Sequence, residues 1–302
     1  MAGQSIVLGS SPELFPYGLD VRNDTVSFIR LSRADFARAS FLDARILTPQ
    51  AIGLATPWRQ VSAAIDAAKL PERCAFIFHI GHVGSTLLSR LIGEHPGAFA
   101  LREPLILRTF AQLRSEPEVR PPTWNDVDVD ARLSGCLKLW SRTFDAQQRA
   151  VIKATSFASE LAAELLSRPA APSAVLMYVR PESYLATILG GANSRQEAKV
   201  LTPSRLRRLH GRLGRDVWRL ESLSEGETLA LGWACEMSAL AQAARAAGER
   251  VLGVDFERFL VQPAAVLFDI LPVRHRCIRG RDPGDYRRGA HAPLLEGAGA
   301  HL

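Results

Sequence analysis

The stretch Cys74-Ala-Phe-Ile-Phe-His-Ile-Gly-His-Val-Gly-Ser-Thr-Leu-Leu-Ser-Arg-Leu-Ile92 decides how the rest of the chain is read. Cys74 to Ile80 is a nearly unbroken apolar run, too short for a helix and typical of a strand buried on both faces. Gly81 stops it, and Gly84 follows three residues later. Ser85 and Thr86 then open a segment in which Leu87, Leu88, Leu91 and Ile92 recur at helical spacing. Strand, glycine turn, hydroxyl pair and helix start bring backbone N–H groups and a positive helix end to one point, which suits phosphate or sulfate. The plainer alternative is a strand–glycine–helix turn that binds nothing.

The segment departs from the Walker pattern G-x-x-x-x-G-K-[ST]. Gly81 and Gly84 stand too close together, and Ser85 takes the place of the lysine. The later apolar run Ala174 to Val179 ends in Arg180, where a magnesium-binding Asp would stand. A triphosphate with Mg²⁺ is poorly served by such a set. A smaller anionic group, held without metal, fits better.

With 302 residues, 47% apolar and 23% charged, the chain has the composition of a globular protein able to bury a full core. Its formal charge of +6 is carried almost wholly by arginine, 33 of 37 basic residues. No basic block with interleaved aromatics is present, so a small anionic ligand is expected and nucleic acid is not. Cys74, Cys136, Cys235 and Cys277 are scattered without metal-ligand spacing, which points to a reduced, cytoplasmic setting. No signal peptide and no membrane span is expected.

Taken in order, residues 1–70 read as a lead-in with padding helices: irregular to residue 25, a strand from Val26 to Leu31, and helices over Ser32 to Ile46 and Trp58 to Ala68. Residues 71–271 alternate strand and helix. Further strands are expected at Phe99 to Leu101, Ala150 to Thr155, Ala174 to Val179 and Arg250 to Val254. Helices are expected between them, at Leu105 to Leu113, Asp126 to Phe144, Ser156 to Ser167, Ser183 to Leu189, Ser204 to Leu223, Thr228 to Ala247 and Pro263 to Ile270. The expected fold is α/β, a doubly wound, mainly parallel sheet of about five strands with a P-loop-like turn, flanked by helices. His82, Glu103, Lys153 and Arg180 lie just past strand ends, where ligands collect in such sheets. Gly190 to Pro203 reads as a loop. Arg205, Arg208, Arg212, Arg215 and Arg219 read as a solvated face, with an anion-gathering wall as the alternative. His79 reads as a satisfied core histidine. Residues 272–302 read as an Arg-rich irregular tail.

With these pieces in hand, the chain resembles the sulfotransferases that use 3′-phosphoadenosine 5′-phosphosulfate (PAPS), over about Cys74 to Ile270. Gly81-His-Val-Gly-Ser-Thr-Leu-Leu is similar to the loop that binds the 5′-phosphosulfate, with His82 at the basic position, Gly84 on the glycine, and Ser85 and Thr86 on the hydroxyl pair. Arg180-Pro-Glu-Ser-Tyr-Leu-Ala-Thr187 resembles the arginine and serine that grip the 3′-phosphate, Thr187 matching the serine if one residue is missing from the turn. His95-Pro-x₅-Arg-Glu103-Pro has the spacing at which protein-tyrosine sulfotransferases carry a catalytic glutamate. Val251-Leu-Gly-Val-Asp-Phe-Glu-x₅-Pro263 resembles the family's closing strand, and Tyr286-Arg-Arg-Gly289 is similar to its R-K-G segment.

The resemblance implies metal-free, in-line transfer of a sulfuryl group from PAPS to a hydroxyl or amine of a small-molecule, carbohydrate or lipid acceptor. Gly81, Val83, Gly84, Ser85 and Thr86 would hold the phosphosulfate, and Arg180 and Thr187 the 3′-phosphate. Glu103 would take the acceptor's proton, which asks for a raised pKa. His82 would assist the leaving oxygen in place of the family's lysine or arginine. Lys153 is a further candidate for donor or acceptor binding. Two other readings stay open: a P-loop small-molecule kinase, and a non-catalytic nucleotide-binding protein of the same fold.

Overall fold

The computed structural model describes residues 8–48 and 53–276. The expected tail past Arg276, Cys277 and the Tyr286–Gly289 segment lie outside the described residues. The chain divides into two compact units, residues 1–161 and 162–302.

The first unit opens with strands β1 (Leu14–Asp20) and β2 (Thr25–Arg30), then helix α1 (Arg33–Arg38), β3 (Leu54–Pro57) and α2 (Trp58–Ala67). These three strands form an antiparallel sheet in the order β1-β2-β3. β1 corrects the expectation of an irregular start. Pro16 and Gly18, read as loop punctuation, flank a register shift between β1 and β2, the kind of irregularity that admits such residues into a strand. The Asp20 carboxylate accepts the N–H groups of Arg22 and Asn23 and closes the turn between them.

α1 starts in a capping box between Ser32 and Asp35. It stops at Arg38, well short of Ile46, because the buried Arg102 guanidinium draws in the carbonyls of Phe36 and Ala39 at its C-terminal end. Past it, Asp43 caps a single 3₁₀ turn, Ala44–Ile46.

Next come β4 (Cys74–His79), α3 (Ser85–Gly93), β5 (Ala98–Arg102), α4 (Leu105–Ser115), α5 (Asp126–Trp140), β6 (Arg149–Lys153) and a 3₁₀ segment, Ser156–Leu161. β4, β5 and β6 are buried along their whole length, as strands covered on both faces must be. They run parallel in the order β5-β6-β4. Lys153 stands opposite Ile77 on one side and Arg102 on the other, so β5 and β6 end level while β4 runs two residues further, to His79. α5 packs at Gly135, where a Cβ would lie 2.3 Å from the Trp58 ring of α2, so only glycine fits.

The second unit holds α6 (Ala162–Leu166), β7 (Ala174–Tyr178), α7 (Pro181–Gly190), α8 (Ala192–Leu213), α9 (Glu225–Ala247), β8 (Val251–Asp255), α10 (Phe256–Val261) and α11 (Pro263–Arg276). β7 and β8 pair in parallel from Ala174↔Val251 to Tyr178↔Asp255. Of five parallel strands, three thus lie in the first unit and two in the second, with helices between them along the chain, the α/β class expected.

Two expectations fail in this unit. Residues 192–203 are helix rather than loop: α8 runs through Pro203 and ends at Gly214, which adopts the left-handed conformation of a helix stop. Nor is the arginine stripe simply solvated. Arg205 and Arg208 are buried and share the Glu236 carboxylate of α9, at 3.0 and 3.3 Å. Arg212 donates to the Ser238 hydroxyl and the Cys235 carbonyl. Leu213, the last residue of α8, and Val217 and Leu220 beyond it are exposed. Among the described residues no helix is long and apolar enough to cross a membrane.

Candidate functional site

β4 leads into a turn that its own last residue shapes. The His79 ring is buried; its Nε2–H donates to the Ala154 carbonyl at 2.8 Å, and its Nδ1 accepts the Gly81 N–H at 3.0 Å. The Ser159 hydroxyl donates to the His79 carbonyl and accepts the His79 N–H. Burial, seconded by the Lys153 charge, pushes the His79 pKa down to about 3, so the ring is neutral.

Gly81 (φ 90°), His82 (φ 53°) and Gly84 (φ 62°) then turn the backbone through the left-handed region. A Cβ on Gly81 would find only ordinary contact with Ser156, at 3.6 Å, so glycine is required there for its angle and not for space. Gly84 is the N-cap of α3 and offers no capping side chain. Among the described residues nothing accepts a hydrogen bond from the N–H groups of His82 to Thr86, or engages the Ser85 and Thr86 hydroxyls. These are the orphan donors of a helix start, reached through a left-handed turn that Gly81 and Gly84 permit. Val83 faces the core and contributes backbone alone, while His82 is exposed.

At the neighbouring strand ends stand Lys153 and Glu103. Lys153 is 1% exposed, and its ammonium donates to the Glu103 carboxylate; the Glu103 N–H donates to the Lys153 carbonyl at 2.7 Å. Burial holds the Lys153 pKa below the ordinary lysine value, against the pull of Glu103. Glu103, like His82, has a left-handed backbone (φ 56°). Five described residues other than glycine do so, and two of them are the acid–base candidates; non-glycine residues keep such angles where the surroundings impose them.

Phe41 lies with its ring centroid 5.1 Å from the Lys153 ammonium, and the Arg45 guanidinium stacks on the same ring at 3.5 Å. Asp43 holds Arg45 through both carboxylate oxygens. No sequence signal marked Phe41 or Arg45, which come from the layer read as padding. The opposite charges of Glu103 and Lys153 at level strand ends were visible, but their pairing needed the register.

In the second unit, Arg180 is the N-cap residue of α7 and is exposed. Its guanidinium donates to Glu257 at 2.9 Å, and the Ser183 hydroxyl donates to the other oxygen of the same carboxylate. The Ser183 hydroxyl, then Arg180, hold the Glu257 carboxyl below the usual carboxylate range. The Thr187 hydroxyl donates to the Ser183 carbonyl at 2.8 Å, so Ser183 and not Thr187 shares an anion with Arg180. Among the described residues no cluster of His, Cys, Asp and Glu has the make-up of a metal site.

No family model and no curated protein sequence matches this chain. Among solved structures it is similar to the sulfotransferase domain from the curacin biosynthetic pathway, with 16% identity over 71% of this chain and 76% of that one and a TM-score of 0.43. It is also similar to a sulfotransferase from Alicyclobacillus acidocaldarius, with 16% identity over 69% of this chain and 85% of that one and a TM-score of 0.39.

Proposed function

We propose that the chain is a sulfotransferase that moves a sulfuryl group from PAPS to a hydroxyl or amine of a small-molecule, carbohydrate or lipid acceptor. The observation that carries this reading is the turn between β4 and α3. Five consecutive N–H groups and two hydroxyls, those of Ser85 and Thr86, have no acceptor among the described residues, beside a buried Lys153–Glu103 pair. Such a donor set suits a small anion and needs no metal to stabilise charge.

In this reading the N–H groups of Val83 to Thr86 and the two hydroxyls hold the phosphosulfate. Gly81 supplies its backbone angle, since its N–H is already held by His79. PAPS, when bound, supplies the activated sulfuryl group. Glu103 takes the proton of the acceptor as its oxygen or nitrogen bonds to sulfur, and His82 donates toward the phosphate oxygen released as the old S–O bond breaks. Lys153 orients the Glu103 carboxylate. By motif, Arg180 takes the 3′-phosphate through a charge-assisted contact, with Thr187 or the neighbouring Ser183 as its hydroxyl. Cys74, Cys136 and Cys235, buried and outside any disulfide, suit a reducing cytoplasm.

The test is incubation with PAPS and a panel of phenols, sugars and lipids, with mass spectrometry of the products. A sulfonated product that falls roughly a hundredfold in Glu103→Gln supports the reading. No product from any acceptor class, in a protein that binds 3′,5′-adenosine bisphosphate, would overturn turnover and leave a binding protein.

A further inference from the structure

We infer that His79 is the positioning residue of the β4–α3 turn, and that the tautomer fixed by its two ring hydrogen bonds sets the turn's shape. The inference deepens the function proposed above and rests on it only for the identity of the ligand.

The tautomer follows from the partners. A carbonyl oxygen only accepts, so Nε2, 2.8 Å from the Ala154 oxygen, carries the proton. A backbone N–H only donates, so Nδ1, 3.0 Å from the Gly81 nitrogen, is bare. One ring thereby ties the end of β4 to the residue after β6 and holds the first residue of the turn. The residue is itself fixed, since the Ser159 hydroxyl engages both its N–H and its carbonyl.

The backbone beyond Gly81 needs such an anchor. His82 takes a left-handed angle that its side chain disfavours, and Gly84 takes another before α3 begins. The N–H of Gly81 is held on the strand side, which turns the next five N–H groups toward the helix start. A protonated ring would donate from both nitrogens, face the Gly81 N–H with a second donor, and release the turn. The charged or titratable groups that reach the ring are Lys153 from β6 and His82 from the turn; when charged, both oppose that proton.

The test uses two variants of the full chain. In His79→Asn the side-chain oxygen stands where Nδ1 was and still accepts from Gly81. In His79→Gln the amide nitrogen replaces Nε2–H toward Ala154, with no acceptor for Gly81. Both remove part of a buried ring, so a merely structural role predicts similar losses.

The inference expects slow amide exchange at Gly81 in the wild type and in His79→Asn, and fast exchange in His79→Gln. It expects 3′,5′-adenosine bisphosphate affinity within about threefold of wild type for Asn and roughly tenfold weaker for Gln. Nitrogen NMR of the wild type is expected to show one protonated and one bare ring nitrogen, without titration between about pH 5 and 8. Equal effects of the two variants on Gly81 exchange, or a ring that titrates near 6.5, would overturn it. If the wild type binds no bisphosphate while the exchange and NMR pattern holds, the proposed function falls and the positioning role stands.

Discussion

Glu103 and Lys153 illustrate how residue chemistry and fold stability meet at one place. The ammonium is enclosed, and among the described residues its anionic partner is the candidate base. Glu103→Gln therefore leaves a charge buried without its counterion, which costs about 3 to 5 kcal/mol; adding Lys153→Met removes the stranded charge and recovers most of that loss. Urea denaturation of the single and double variants checks this. Equal midpoints for the two would contradict it. At Arg180 the carboxylate of Glu257 occupies the guanidinium and the Ser183 hydroxyl together. Glu257→Gln is expected to tighten 3′,5′-adenosine bisphosphate binding about two- to fivefold, because an exposed ion pair is weak and its loss frees Arg180. Weaker binding in a calorimetric titration would contradict the motif-based role of Arg180. The sequence made His82, Glu103 and Arg180 legible as strand-end residues. It could not show that Ser183, rather than Thr187, faces the same anion as Arg180, because that depends on which side of α7 each hydroxyl stands.

Elements were legible where burial is uniform. β4 reads as a strand because its apolar run is too short for a helix; α9 was expected from Thr228, and its capping box, Ser224 and Glu227, starts it three residues earlier, at Glu225. They were illegible where a partner decides. The arginines of α8 look like a solvent face until Glu236 on α9 is brought against Arg205 and Arg208. α1 looks long until Arg102, more than sixty residues later, takes its last carbonyls. Glu236→Leu is expected to destabilise the protein by about 3 to 5 kcal/mol, since two buried guanidinium groups then lack their carboxylate. A change below about 1 kcal/mol in the denaturation free energy would contradict a buried network between α8 and α9.

At the scale of the whole molecule, the pH dependence of stability reports the neutral histidine under the turn. The folded-state pKa of His79 lies near 3, below the ordinary 6.5, so the unfolded chain takes up this proton first as the pH falls. Its contribution is complete above about pH 6.5 and is lost toward pH 3, by up to about 1.4 kcal/mol per pH unit. Urea midpoints at pH 7.5 and 5 are expected to differ more in the wild type than in His79→Asn; equal differences would contradict a neutral buried ring. The overall class, parallel strands alternating with helices, was readable from apolar runs and glycine stops. The antiparallel sheet of the first unit was not, because its first strand carries the proline and glycine that usually end one. The central claim is a site for a 3′-phosphorylated adenosine nucleotide held without metal. The measurement that tests it most directly is calorimetric titration of the metal-free protein with 3′,5′-adenosine bisphosphate, beside ATP with Mg²⁺ and an Arg180→Ala variant. The account predicts micromolar bisphosphate binding, lost in Arg180→Ala, and weaker binding of ATP with Mg²⁺. A folded protein that ignores the bisphosphate, or prefers ATP with Mg²⁺, would contradict it.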